Sequence, residues 1–156
     1  MASSNFSSDV FWLVTRNQSS YIVKRGHGSG VTVFSKEPLN LTNKHSRKQS
    51  GVVNEKAVGV QPGERGVVLI TKNNAEKNGQ KPATLFKKTP LKKHNRKVYA
   101  TIASTVAKKG YRPDLRADAV ARASNIIASQ RQKKDKPAPK PRGKKAKAQA
   151  QAKSSA

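Results

Sequence analysis

Apolar residues occur in short clusters over the first two thirds of the chain and at helical spacing thereafter. The first cluster, residues 10–14, follows the Ser-Ser-Asp of residues 7–9, which is typical of an N-cap and an acidic first turn. This pattern predicts a short helix that ends near Arg16, with a strand as the alternative because Val, Phe and Trp favour sheets. We expect Trp12 and its neighbours to lie in the core rather than to stack on bases.

Residues 21–24 and 31–34 each have the composition of a short strand, and Gly26, Gly28 and Gly30 lie between them. The glycine spacing differs from the dinucleotide-binding fingerprint, and no helical pattern follows it. These residues therefore predict two strands joined by a flexible hairpin loop.

A second hairpin is predicted at residues 57–60 and 66–70, because Pro and Gly in residues 61–65 favour a turn between them. Residues 84–86 indicate a short edge strand. The polar stretches between these strands are predicted loops, residues 39–50 and 73–82.

Val98, Ile102 and Val106 recur at steps of four and predict a helix from about residue 96 to 109. Gly110 suits the left-handed position after its end, and two lysines in the last turn favour the negative end of the helix. The first long helix is therefore expected to stop at Gly110.

A second helix is predicted from Pro113 to about Arg131, since proline suits the first helical position and Asp114 and Asp118 favour its positive end. It can pack on the first helix as a hairpin or an L. Its apolar or small residues share one face: Leu115, Ala119, Ala123 and Ile126/Ile127. The predicted class is α+β, with a short N-terminal helix, a small antiparallel sheet of four or five strands, two C-terminal helices and an extended basic tail.

Charge separates two parts of the chain, which has 33 Lys and Arg against 8 Asp and Glu and a net charge of +25. Residues 132–156 are rich in Lys, Pro and Ala and lack an apolar period, so we expect a tail that is disordered unless bound to RNA. Their nine cations and one acid supply +8, which leaves +17 on the expected basic domain, residues 1–131.

This charge predicts a polyanionic partner, because self-repulsion opposes a compact free protein. Residues 87–97 contain no acid and could serve as a nuclear import signal, a solvated loop or a phosphate-binding surface. We favour phosphate binding. With only 5% aromatic residues, docking on folded RNA by shape and charge is expected rather than a stacking platform for single strands.

Catalytic and metal chemistry find little support in the sequence. Cysteine is absent, His27, His45 and His94 are isolated, and no nucleotide-binding or hydrolase motif occurs. We expect no enzyme activity, no metal and no cofactor. Residues 10–14 are too few to cross a bilayer and lack a preceding basic region, so a cytosolic or nuclear protein is expected.

Several segments resemble the eukaryotic large-subunit ribosomal protein L28 family over roughly residues 10–131. The most specific is YRPDLRADAVARASNIIASQ, residues 111–130. The other matching segments are WLVTRNQSSYIVKR (12–25), FSKEPLNL (34–41), AVGVQ (57–61), GVVLI (66–70) and KPAT (81–84).

The resemblance implies a structural protein of the cytoplasmic large subunit that passes through the nucleus and nucleolus during assembly. It implies ribosomal RNA and neighbouring large-subunit proteins as partners, without a membrane, small-molecule substrate or cofactor. Basic positions inside matching segments become candidate RNA contacts: Arg16, Lys24, Arg25, Lys81, Arg112, Arg116 and Arg122. Charge alone adds Lys44, Arg47, Lys48, Lys87, Lys88, Lys92, Lys93, Arg96, Lys97, Lys108, Lys109, Arg131, Lys133, Lys134, Arg142, Lys144 and Lys145.

Two alternatives remain. A nucleolar assembly factor with a similar N-terminal domain would be expected to continue into acidic or coiled-coil segments. A linker-histone-like chromatin protein would share the tail composition but would place its helices before its sheet.

Overall fold

The computed structural model describes residues 7–28, 30–73, 78, 81–132 and 142–154. Helices and five strands combine in an α+β fold, which confirms the predicted class. In chain order the elements are α1 (Ser8–Thr15), β1 (Ile22–His27), β2 (Gly30–Ser35), β3 (Val58–Pro62), β4 (Val67–Lys72), α2 (Pro82–Leu85), β5 (Phe86–Leu91), α3 (Asn95–Ala103), α4 (Arg116–Ser129) and α5 (Lys144–Ser154).

Helix α1 forms where the sequence favours a helix over a strand, and the Ser7 hydroxyl accepts a 3.3 Å hydrogen bond from the Val10 backbone N–H. The expectation that Trp12 and its neighbours form core is wrong. No residue of α1 is buried, Trp12 is half-buried, and Val10, Leu13 and Val14 are 51, 63 and 68% exposed. One turn of apolar spacing shows that these residues share a face, but not that anything covers it.

Strands β1 and β2 form a separate two-stranded antiparallel sheet. Its register runs from Ile22 opposite Ser35 to His27 opposite Gly30, so the hairpin is longer than predicted. Gly28 in the connection has φ of 38°, in the left-handed region that glycine adopts without strain.

The second sheet has the order β3-β4-β5, with both pairs antiparallel. Strand β5 begins later than predicted, because Thr84 and Leu85 belong to helix α2, where Pro82 occupies the first turn. The strand extends to Leu91 through residues with low sheet propensity. An edge position explains why lysines and Pro90 are tolerated there.

Helices α3 and α4 together cover one face of this sheet, and α4 lies directly against β3 and β4. Val98, Ile102 and Val106 are each at most 1% exposed and pack with the strand residues Val58 and Leu69. The helix continues as a π-helical turn, Ser104–Lys108, and ends at Gly110, whose φ of 63° confirms the predicted stop.

Pro113 starts a 3₁₀ turn, Pro113–Leu115, that leads directly into α4. Leu115, Ala119, Ala123 and Ile127 are buried against α3 and the sheet. The ambiguous apolar pair is thereby resolved, since Ile127 lies in the core and Ile126 is only half-buried.

The opposite face of the sheet is covered by the long connection between β2 and β3. The sequence predicts a polar loop here, yet Leu39 is 6% exposed and packs with Ala57 and Ile70 on this face, whereas Leu41, 3% exposed, belongs to the main core on the helix side. Leu39 packs so closely that a Cβ on Gly59 would lie 2.6 Å from the Leu39 Cδ2 atom. Glycine at position 59 therefore lets a loop without regular structure seal this side of the sheet.

Part of the tail is helical. Helix α5 forms where the sequence predicts no regular structure, and its Ala, Lys and Gln residues have high helix propensity. Lys144, Lys145 and Lys147 on α5 are exposed. Lys133 and Lys134 lie outside the described residues, and ordering of the tail by RNA stays a prediction.

Candidate nucleic-acid interface

Six exposed cations follow one another along β5, the next turn and the start of α3. Lys87 and Lys88 lie on β5, the edge strand of the three-stranded sheet, and both are exposed. We call this group the basic segment, which consists of Lys87, Lys88, Lys92, Lys93, Arg96 and Lys97. Three adjoining pieces of structure thus present positive charge to solvent.

The start of α3 adds to this positive potential. His94 occupies the N-cap without a side-chain hydrogen bond to the helix, and no acidic residue lies in the first turn. Arg96 and Lys97 are there instead, although the N-terminal end of a helix favours negative charge. A bound anion would relieve this repulsion and accept from the helix N–H donors.

A second basic surface lies where α3 meets α4. Lys108 and Arg116, eight positions apart in sequence, both line an open cavity of about 510 Å³. The remaining lining residues are small: Ala100, Ala103, Ser104 and Ala107. Lys109 beside this cavity is also exposed. We call Lys108, Lys109 and Arg116 with the turn that carries them the α3–α4 corner.

In the described part of the chain, acidic residues do not neutralise these surfaces. Residues 77–113 contain eleven cations and no acid. Among the six acids in the described part of the chain, Asp9 and Asp114 pair with arginines, Glu37 is buried, and Asp118 accepts a 2.6 Å bond from Gln49. The few acids thus act mainly within the fold.

Arg112 is one arginine that the fold itself uses. Its Nε and Nη2 atoms donate to the two carboxylate oxygens of Asp114 at 2.8 and 2.7 Å. It also donates to the carbonyl oxygens of Lys56 at 2.8 Å and Lys48 at 3.0 Å. The hydrogen bonds from Arg112 hold the pKa of Asp114 below its usual value, against a smaller opposing effect of burial. Arg112 thus clamps the helix corner to the long connection.

Arg47 plays a similar part between α1 and the same connection. Its guanidinium donates to Asp9 Oδ1 at 2.8 and 3.0 Å, to Ser8 Oγ at 2.9 Å and to Asn54 Oδ1 at 2.6 Å. Arg122 on α4 donates to the Leu41 carbonyl oxygen at 3.5 Å. These three half-buried arginines, Arg47, Arg112 and Arg122, therefore have protein partners.

The other predicted RNA contacts in the described part of the chain are exposed but spread over several elements. They do not all share one surface. Beyond the basic segment and the α3–α4 corner, the exposed candidates are Arg16, Lys24, Arg25, Lys44, Lys48, Lys81, Arg131, Arg142, Lys144 and Lys145.

Two buried charged residues were missed from the sequence. Lys72 is 7% exposed, and its ammonium donates to the carbonyl oxygens of Asn54 at 3.0 Å and Gly51 at 3.4 Å. Burial lowers the pKa of Lys72, although the charge of Glu55 opposes this. Glu37 accepts from Ser50 Oγ at 3.1 Å and from the Gly51 N–H at 3.0 Å. Lys72 ties the connection to β4, whereas Glu37 links two parts of the connection to each other. Only the proximity of Lys72 to a predicted strand indicated its burial.

His45 also has a structural role. Its Nε2 atom lies 2.7 Å from the Arg16 carbonyl oxygen, and its ring centroid lies 4.9 Å from that of Trp12. Across the described ranges, no three His, Asp or Glu side chains come together as a metal site. The same ranges contain no helix that is both long and apolar enough to span a membrane.

The model of the Ribosomal L28e protein family matches residues 10–129, from α1 to the last residue of α4. The chain belongs to this family. It is 48% identical over 130 residues to the large ribosomal subunit protein eL28 of Schizosaccharomyces pombe, covering 82% of this chain and 96% of that protein. The Dictyostelium discoideum protein of the same name is 30% identical over 128 residues, with 82 and 92% covered. The Caenorhabditis elegans protein of the same name is 36% identical over 87 residues, which covers 54% of this chain and 67% of that protein.

Membership of the ribosomal L28e family confirms the resemblance read from the sequence segments and identifies a ribosomal structural protein rather than an enzyme. The family match contains the basic segment and the α3–α4 corner. Residues 130–156, which include helix α5, lie beyond the match.

Proposed function

We propose that this chain is a structural constituent of the cytoplasmic large ribosomal subunit, where it binds and stabilises folded ribosomal RNA through Lys and Arg contacts to phosphates. The relatives named large ribosomal subunit protein eL28 support the choice of particle. The observation that carries the mode of binding is the acid-free basic segment beside the exposed start of α3. Assembly passage through the nucleus and nucleolus belongs to the same proposal.

Exposed lysines and arginines bind phosphates by displacing condensed counterions, so affinity falls steeply with salt. Such contacts position a protein on RNA without reading its sequence. We assign this role to the basic segment, Lys108, Lys109 and Arg116, together with the other exposed candidates and Lys133 and Lys134. Arg47, Arg112 and Arg122 are assigned to holding the loops that carry these cations, because each of them donates to a partner inside the chain.

Neighbouring ribosomal proteins are the second class of partner, and we place one such contact on α1. Helix α1 contains no Lys or Arg, in a chain of net charge +25, so its surface does not suit phosphates. Val10, Leu13 and Val14 form an exposed apolar face on this helix. Exposed apolar faces of this kind are typical of protein contacts. The proposed occupant is an apolar segment of a neighbouring protein in the particle.

The test of particle membership is sedimentation of a tagged copy from cell lysate on sucrose gradients, with and without ribonuclease. Co-migration with large subunits, monosomes and polysomes, lost after RNA digestion, is expected. Restriction to nuclear pre-ribosomal particles would instead identify an assembly factor. Pelleting with DNase-sensitive chromatin would replace RNA with DNA as the partner.

The basic segment is tested with the purified full chain and a stem-loop RNA. Replacing Lys92 and Lys93 by Gln should reduce the slope of log affinity against log salt by about two, one for each lost phosphate contact. The matched control replaces Lys56 and Arg65, two exposed cations outside the assigned set, and should leave that slope unchanged. Equal slopes for the two double variants would contradict a localised phosphate surface.

A further inference from the structure

An open cavity of about 450 Å³ lies on one face of the β1–β2 hairpin. The register places Val23 opposite Phe34 and Arg25 opposite Thr32, so these four side chains share that face. The cavity is lined by Val23, Arg25, Phe34, Ser35, Lys36 and Asn43. The half-buried ring of Phe34 therefore lies between two exposed cations, Arg25 and Lys36.

This combination differs from the two basic surfaces described above, which offer cations without an aromatic ring. No acidic residue lines the cavity, and Lys44, which pairs with Phe34 through an isolated β-bridge, adds an exposed cation beside it. An unpaired RNA nucleotide presents the flat face of its base for stacking and its phosphate for the cations. The positive charge makes an apolar protein segment a poorer fit.

We infer that this cavity holds one unpaired nucleotide of the bound RNA, with its base stacked on Phe34 and with Arg25 and Lys36 at its phosphates. The inference rests on the proposed function and adds the kind of nucleotide that one site takes. A single stacked base is compatible with the low aromatic content, because the other contacts remain with phosphates. The two-stranded hairpin thus binds a bulge or loop in RNA that is otherwise folded.

The test compares two RNA probes with the purified full chain: a stem with an internal bulge of unpaired nucleotides, and the same stem fully paired. Phe34→Leu should weaken binding to the bulged stem about tenfold, because stacking on the ring is lost. Binding to the paired stem should stay unchanged. Tyr21→Leu is the matched control, since it removes a 42% exposed aromatic ring that does not line the cavity. It should change neither affinity.

Thermal melting shows whether the Phe34→Leu protein folds. If it does not fold, Arg25→Gln provides a second test of the cavity. Arg25→Gln should weaken binding to the bulged stem more than to the paired one. Lys24 is the neighbouring residue on the opposite face of β1, so Lys24→Gln should affect both stems equally.

Equal losses on the two stems for both cavity variants would overturn the base site while leaving phosphate binding intact. A result in which Phe34→Leu matches Tyr21→Leu would do the same. Failure of the wild-type chain to bind either RNA in a salt-dependent way would overturn the proposed function itself.

Discussion

The hydroxyl of Tyr111 donates a 2.5 Å hydrogen bond to the carbonyl oxygen of Lys72 and lies 3.3 Å from that of Ala57. This contact joins the turn between α3 and α4 to β4 and to the residue before β3. Tyr111 also packs against the main hydrophobic core. Tyr111 therefore ties the α3–α4 corner, and the cations on it, to β4, as Arg112 ties it to the long connection.

Replacing Tyr111 with Phe keeps the ring and removes only these hydrogen bonds. We expect the free energy of unfolding to fall by about 1 kcal/mol, the usual net contribution of a hydrogen bond in proteins. Urea denaturation monitored by circular dichroism measures this change. The half-exposed Tyr21, replaced by Phe in the same way, should cost less.

The same variant tests a pH effect. Burial is the largest cause that raises the pKa of Tyr111 above 10.0, and the positive charge of Arg112 opposes this shift. The folded state thus favours the neutral phenol, and this contribution is complete below the unfolded pKa and lost as pH rises through the folded one. Stability of the wild type should fall more steeply than that of Tyr111→Phe above about pH 10. Parallel curves would contradict the assignment.

Arg112 and Arg116 separate support of the fold from RNA binding, although they lie four residues apart. Arg112→Lys loses the two-pronged pairing with Asp114 and at least one loop carbonyl, so unfolding should become easier by about 2 kcal/mol. The salt slope of RNA binding should not change. Arg116→Gln should leave the melting temperature unchanged and reduce the slope by about one. An exchange of these two phenotypes would reverse the assigned roles.

Acid titration checks the Arg112 contact independently. Because Arg112 lowers the pKa of Asp114, the stabilisation is present above the unfolded pKa of 3.8 and is lost as pH falls through the lower folded value. Asp114→Asn should therefore remove part of the decline in stability below about pH 4. An unchanged acid profile would mean that the pairing contributes nothing in solution.

Gly66 allows β4 and the end of β5 to approach each other. Its φ is 83°, and a Cβ at this position would collide with the Leu91 carbonyl oxygen. Gly66→Ala should cost more than about 2 kcal/mol, since left-handed strain adds to the collision. Gly26→Ala provides the control, because a Cβ there has no neighbour within 4 Å. Thermal melting of the two variants makes the comparison, and equal losses would contradict the crowding at Gly66.

The helix boundaries were predictable because their signals are local. Gly110 and Pro113 specify a stop and a start through their own backbone preferences, and the periodic Val98, Ile102 and Val106 define a buried face. The exposure of α1 was not predictable in this way. Apolar spacing shows which residues share a face, but the covering surface comes from distant parts of the chain.

Charge predicted which residue types would bind a polyanion, but not which of them the fold would use. Arg47 and Lys93 belong to similar clusters in sequence, yet Arg47 contacts Asp9 from 38 positions away, whereas Lys93 is exposed. The cavity at Phe34 was missed for the same reason. It is formed by the pairing of two strands and by a loop residue, and none of its members is unusual alone.

The last prediction concerns the tail, residues 132–156. Their removal should leave the melting transition unchanged, because the described side chains of α5 are exposed apart from the half-buried Ala146. Affinity for RNA and incorporation into large subunits should fall, since nine cations are lost.

A full-length variant with those nine cations replaced by Gln is the control for charge. If it binds as weakly as the truncated chain, phosphate neutralisation accounts for the role of the tail. Tighter binding than the truncated chain would show that the tail backbone also contributes. Loss of the cooperative transition on truncation would instead show that the tail stabilises the domain.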